Sequence, residues 1–97
     1  MTILRQYMMI AAAGQGEALG AALGVLAAKV LPLAGCEDVR LYADPDHSGT
    51  FLFVEYWSSR ENHEAAGRKL GREVFAGVMA LLSQPPEGRY FEAVPLA

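Results

Sequence analysis

The chain has 97 residues, 53% of them hydrophobic, with eight basic against eleven acidic side chains and a net charge of −3. That length builds one domain over residues 1–97 rather than two, and the acidic balance argues against a nucleic-acid partner held through its phosphates. The lone cysteine, Cys36, excludes an internal disulfide, and no basic-then-apolar leader or bilayer-length apolar run is present, so a cytoplasmic protein without membrane association is expected.

Residues 2–12 read as a first strand, with Ile3, Arg5, Tyr7 and Met9 on one face and Leu4, Gln6, Met8 and Ile10 on the other. Apolar residues on both faces predict that both are covered. Residues 16–32 read as a helix, because Leu19, Leu23, Leu26 and Val30 recur at helical spacing, and Pro32 and Gly35 end it. Gly16, Gly20 and Gly24 give that helix a flat face for close packing on a sheet. Residues 36–44 read as a second strand, and Asp44-Pro-Asp-His-Ser-Gly49 as a hairpin loop. Phe51–Trp57 has the composition of a well-paired third strand, with Phe51, Phe53, Glu55 and Trp57 sharing a face. Ser58 or Ser59 caps the helix that follows, with Glu61 or Asn62 near its third position. Residues 59–83 read as helix in two pieces, with His63, Gly67, Leu70, Val74, Val78 and Leu81 on one stripe and a kink or short break at Gly67 or Gly71. Gly88 to Val94 reads as a fourth strand.

The order βαββαβ predicts an α+β, ferredoxin-like fold, a four-stranded antiparallel sheet with two helices on one face. The other face then carries large apolar residues from several strands. A second copy packed sheet to sheet covers it, and a homodimer is expected.

One cluster is chemically suggestive. Glu55 and Trp57 share a strand face, and His63 follows on the next helix. A pocket bounded by Trp57, phenylalanines and methionines holds a flat aromatic ligand, His63 handles a proton near neutral pH, and Gly67 leaves space beside it. Against this stand blander readings, since a strand-end tryptophan and a lone histidine beside an apolar stripe are usually core residues. Arg68, Lys69 and Arg72 read as a solvated basic face. No spacing suggests a metal site, a phosphate loop or a nucleophile elbow. Phe51-Leu-Phe-Val-Glu-Tyr56 resembles part of an RNA-recognition strand, but no basic residue precedes it and Tyr7 is the only stacking partner on the first strand.

The junction Glu55-Tyr-Trp57-Ser-Ser-Arg-Glu61, the element order and the closing strand Arg89-Tyr-Phe-Glu92 resemble the antibiotic biosynthesis monooxygenase (ABM) family of dimeric α+β barrels. The resemblance implies a homodimer with a pocket in each subunit between sheet and helices. It further implies oxidation of a small phenol or hydroquinone by O₂ without metal or flavin. Trp57 then carries over as the pocket tryptophan and His63 as a base or orienting residue. Tyr7, Phe53, Trp57 and Gly67 bind substrate, with Trp57 stacking on its ring. Many members carry a histidine where this chain has Ala66, and a haem-degrading branch carries an asparagine where Gln6 and Tyr7 stand, which disfavours haem degradation. The alternative is a non-catalytic homodimeric module that binds a hydrophobic aromatic metabolite.

Overall fold

The computed structural model describes residues 2–96. Strand β1 (Ile3–Ile10) leads to helix α1 (Gly16–Val30), followed by β2 (Cys36–Ala43) and β3 (Thr50–Trp57). Helices α2 (Arg60–Leu70) and α3 (Arg72–Met79) follow, and β4 (Glu87–Glu92) closes the chain. The sheet is antiparallel with strand order β2-β3-β1-β4, the ferredoxin-like arrangement. No helix among the described residues is long and apolar enough to cross a membrane.

Pairing register decides which side chains meet. Tyr7 lies opposite Phe53, and Arg5 opposite Glu55, so the odd-numbered residues of β1 and β3 share the face beneath the helices. Leu19, Leu23, Leu26 and Val30 of α1 are buried against Met9, Phe53 and Trp57 on that face. This is the expected stripe, spaced so that every turn of α1 drops one aliphatic side chain into the core. The glycines of α1 serve close approach in part. A Cβ on Gly16 would lie 3.5 Å from Gly49, and one on Gly20 would lie 3.2 Å from the Phe51 ring, but Gly24 is exposed.

The second half forms the expected helix in two pieces, and the break falls cleanly at Gly71, whose φ of 81° and ψ of 168° lie outside helical space. Helix α3 then ends at Met79, short of residue 83. Ser59 caps α2 by accepting from the backbone N–H of Asn62 at 3.1 Å. The inward stripe of α2 passes through Ala66, which is buried, while Gly67 is exposed with nothing near a would-be Cβ. Gly67 therefore does not open space beside His63.

The opposite face of the sheet is bare. Met8, Tyr42 and Phe91 project from it at 44%, 51% and 44% exposure, beside Leu4, Leu52 and Tyr56.

Two glycine substitutions separate the two halves of this account. Gly67→Ala removes backbone freedom from an exposed helix interior and is expected to stabilise by about 0.5–1 kcal/mol. Gly71→Ala forces an alanine into glycine-only backbone space and is expected to destabilise by about 1–3 kcal/mol. Urea unfolding of both variants checks the signs.

Candidate functional site

Strands β1, β3 and β4 and helix α2 bring the polar groups of the site together. The row Val39–Glu55–Arg5–Tyr90 runs across β2, β3, β1 and β4, and the row Leu41–Phe53–Tyr7–Gly88 lies beside it. Both rows face the helices. Ser59 starts α2 close behind Trp57, which brings His63 in its first turns down over the Glu55, Arg5 and Tyr90 row. Gly88 leaves room for its neighbours: a Cβ there would stand 2.5 Å from Arg5 Nη2 and 3.0 Å from Tyr7 Cε1.

The polar contacts converge on two groups. Trp57 Nε1–H donates to Glu55 Oε1 at 3.0 Å. His63 bridges two phenols, with Nε2 2.8 Å from the Tyr7 hydroxyl and Nδ1 2.6 Å from the Tyr90 hydroxyl. Glu55 Oε1 stands 3.6 Å from His63 Nε2, near but outside hydrogen-bond reach. The His63 ring meets Trp57 and Tyr90 edge-on, with centroids 5.7 and 5.2 Å apart. Arg5 lays its guanidinium over the Tyr7 and Tyr90 rings at 4.9 and 4.3 Å, and Arg60 covers Tyr90 at 4.2 Å. Arg5 Nε is buried without a partner.

Burial sets the charges. Loss of water pushes the Glu55 carboxyl up to about 7, against a weaker downward pull from the Trp57 hydrogen bond and from Arg5. The same loss holds His63 down at about 4, helped by the positive charge of Arg5, so the imidazole is neutral at physiological pH. The 3.6 Å contact between them is therefore not an ion pair of opposite full charges. When His63 titrates, Glu55 already carries its proton and offers the imidazolium no compensation. Burial, with the nearby Glu55, raises the Tyr7 phenol above its ordinary value.

A cavity of about 210 Å³ opens between this sheet face and the helices. Tyr7, Met9, Phe53 and Glu55 line it from the sheet, Leu26 from α1, Phe75, Val78 and Met79 from α3, and Pro86 from the turn before β4. Apart from Glu55 and Tyr7, the residues around it are apolar. Larger but more open depressions lie elsewhere, one of about 460 Å³ among Thr2, Glu37, Asp38, Arg40, Tyr42 and Tyr56. Four of those residues belong to the bare face of the sheet, away from the buried carboxyl.

The sequence-predicted residues divide. Tyr7 and Phe53 line the cavity, and His63 is hydrogen-bonded to Tyr7 without being a lining residue. Trp57 is 1% exposed, is not among the lining residues and donates its indole N–H to Glu55. Gly67 lies outside the site altogether. Glu55 belongs to the cluster that the sequence marks, as the one charged residue in an otherwise apolar strand, but without an assigned role; two further members, Arg5 and Tyr90, go unmarked. Arg5 shares a strand face with Tyr7, but only strand order puts it between Glu55 and Tyr90. Nothing local marks Tyr90. Among the described residues, no three histidine, cysteine or carboxylate side chains converge as a metal-ligand set.

The sequence matches the family described as antibiotic biosynthesis monooxygenase, over residues 1–69. None of the curated proteins matches it. Solved structures do. Rv0793 from Mycobacterium tuberculosis aligns at 19% identity and a TM-score of 0.82, covering 100% of this chain and 99% of the other. A conserved protein from Methanosarcina mazei Go1 aligns at 15% identity and a TM-score of 0.85, covering 94% and 91%. A point variant of SnoaB, a cofactor-independent oxygenase from Streptomyces nogalater, aligns at 13% identity and a TM-score of 0.81, covering 98% and 95%. At these identities the likeness speaks to the fold.

The opposed shifts of Glu55 and His63 make a test of their burial. Folding leaves a proton on Glu55 that the unfolded chain releases above its ordinary 4.5. Folding also withholds from His63 a proton that the unfolded chain binds below its ordinary 6.5. Between those two ordinary values the differences cancel, and the pair adds little pH dependence to stability. Glu55→Gln removes only the first. Relative to the parent, the variant is expected to lose stability as pH falls from about 7 toward 4.5, by up to about 1.4 kcal/mol per pH unit. Denaturant unfolding of both proteins across that range checks it, and parallel curves would contradict the assignment.

Proposed function

Because the chain belongs to the antibiotic biosynthesis monooxygenase family, we propose that it oxidises a small phenol or hydroquinone with O₂, without metal or flavin. The observation that carries this reading is a carboxyl group poised near neutrality on the wall of an apolar, aromatic cavity. Phenols are unreactive toward O₂ until deprotonated, and a base with a pKa near the working pH does this best. Glu55, at about 7, fits that requirement, whereas His63, at about 4, is too weak a base. The role left for His63 is to orient Tyr7.

In the proposed reaction the Glu55 carboxylate takes the phenol proton. The electron-rich phenolate ring then forms a carbon–oxygen bond to O₂, and the Glu55 proton passes to the distal peroxide oxygen. Loss of the ring hydrogen as H⁺ and cleavage of the O–O bond give a quinone. The departing hydroxide takes up that proton, so one phenol and one O₂ become one quinone and one water. Phe53, Phe75 and the Tyr7 ring hold the substrate by dispersion and exclude water, which preserves the reactive phenolate. Cavity size favours one ring: apolar cavities of roughly 150 Å³ hold benzene, and drug-sized ligands need about 300 Å³ or more. That SnoaB is named a cofactor-independent oxygenase supports the same reaction type on this fold.

The reading includes a homodimer through the bare sheet face, where Met8, Tyr42 and Phe91 would be covered. Met8→Glu combined with Tyr42→Glu is expected to shift sedimentation from dimer to monomer.

Oxygen uptake by metal-free protein, with a panel of hydroquinones and phenols of one to three rings, tests the reaction. One-ring substrates are expected to be turned over above the uncatalysed rate. Glu55→Gln should lower turnover by about 10²- to 10⁴-fold, and His63→Ala should lower it with the dimer intact. Uptake no faster than in buffer, alongside retained ligand binding, would instead identify a non-catalytic module for an aromatic metabolite.

A further inference from the structure

His63 joins two phenols through its two ring nitrogens, and a neutral imidazole has only one N–H to give. Its tautomer therefore fixes the direction of the whole chain Tyr90–His63–Tyr7. Two features of the surroundings select it. Glu55 Oε1 lies 3.6 Å from Nε2 and already accepts from Trp57 Nε1. When Glu55 is protonated the acid hydrogen belongs on the other oxygen, so Oε1 presents an acceptor lone pair to Nε2 in either state. A hydrogen on Nε2 is favoured there, and a lone pair is opposed. At the other nitrogen, the Tyr90 hydroxyl stands at 2.6 Å from Nδ1, a short distance suited to a phenol O–H donating to a bare imidazole nitrogen.

We propose that Tyr90 is a positioning residue that, through the Nε2–H tautomer of His63, aims the Tyr7 hydroxyl hydrogen into the cavity, where it donates to the oxyanion of a bound phenolate. This rests on the reading of the cavity as a phenol site and deepens it. With Nε2–H donating to the Tyr7 oxygen, the Tyr7 hydrogen is free of His63. Tyr7 is one of the residues lining the cavity, and in the proposed arrangement that hydrogen turns toward a ligand held there. In the opposite tautomer Tyr7 would donate to Nε2, and its hydrogen would be unavailable. The arrangement is a one-donor oxyanion site, with Glu55 on the same wall to take the proton and Tyr7 to hold the charge left behind. Tyr90 joins the relay from β4, which pairs beside the Arg5 and Tyr7 segment of β1.

The test reads the ring nitrogens of His63 directly. In ¹⁵N-histidine-labelled protein near pH 7, long-range ¹H–¹⁵N correlation spectra should show His63 with a protonated Nε2 and a bare Nδ1, identified by its loss in His63→Gln. Tyr90→Phe, which keeps the ring and removes the donor, should populate the Nδ1–H form. A protonated Nδ1 in the parent, or an unchanged tautomer in Tyr90→Phe, would overturn the proposal. A second arm uses 4-nitrophenol and nitrobenzene as probes. Tyr7→Phe should weaken 4-nitrophenolate about tenfold and leave nitrobenzene unchanged; equal effects on both would also overturn it. Failure of 4-nitrophenol to bind the parent would count against the cavity as a phenol site, while the nitrogen spectra still decide the tautomer.

Discussion

Glu55 is carried under the helices by the same alternation that buries Phe53 and Trp57 on either side of it. An ionised carboxylate at that depth loses most of its hydration, and the site around it is arranged to limit that cost without removing it. One indole N–H binds one oxygen, and Arg5 stands across on β1 close enough to lower the pKa but without an ion pair. A tighter pairing with arginine would have fixed the charge permanently. The looser one leaves the group near neutrality, where it can change state.

The neighbours follow from this constraint. Buried beside Arg5, His63 stays neutral and is free to act through hydrogen bonds rather than charge. Arg5 in turn is held by two tyrosine faces instead of a carboxylate, which tolerate a cation without neutralising it. Trp57, fully buried, anchors the base from within the core. The cavity wall is therefore left to smaller contributions: Tyr7 and Phe53 from the sheet, and Phe75 and Met79 from α3.

How much of this the sequence disclosed depends on the range of the interaction. Strand alternation and the α1 stripe are local, and they place the core residues and the shared face of Phe53, Glu55 and Trp57 correctly. The Ser59 cap was legible for the same reason. The exact rotation of α2 was not. Ala66 and Gly67 are adjacent, and which of them faces inward is set by packing on the sheet. Nor was Tyr90, because its neighbourhood to Arg5 and His63 arises only when β4 pairs with β1. For Trp57 the sequence offers both a ligand contact and a core position, and its burial is a tertiary outcome.

The measurement closest to the central claim is a direct titration of the Glu55 carboxyl, by ¹³C-labelled glutamate NMR with Glu55→Gln for assignment. A midpoint near 7 is expected, well above the ordinary 4.5. A midpoint near the ordinary value would mean that water or a cation reaches the carboxylate. Glu55 would then lack the buried environment that a base working near neutral pH requires.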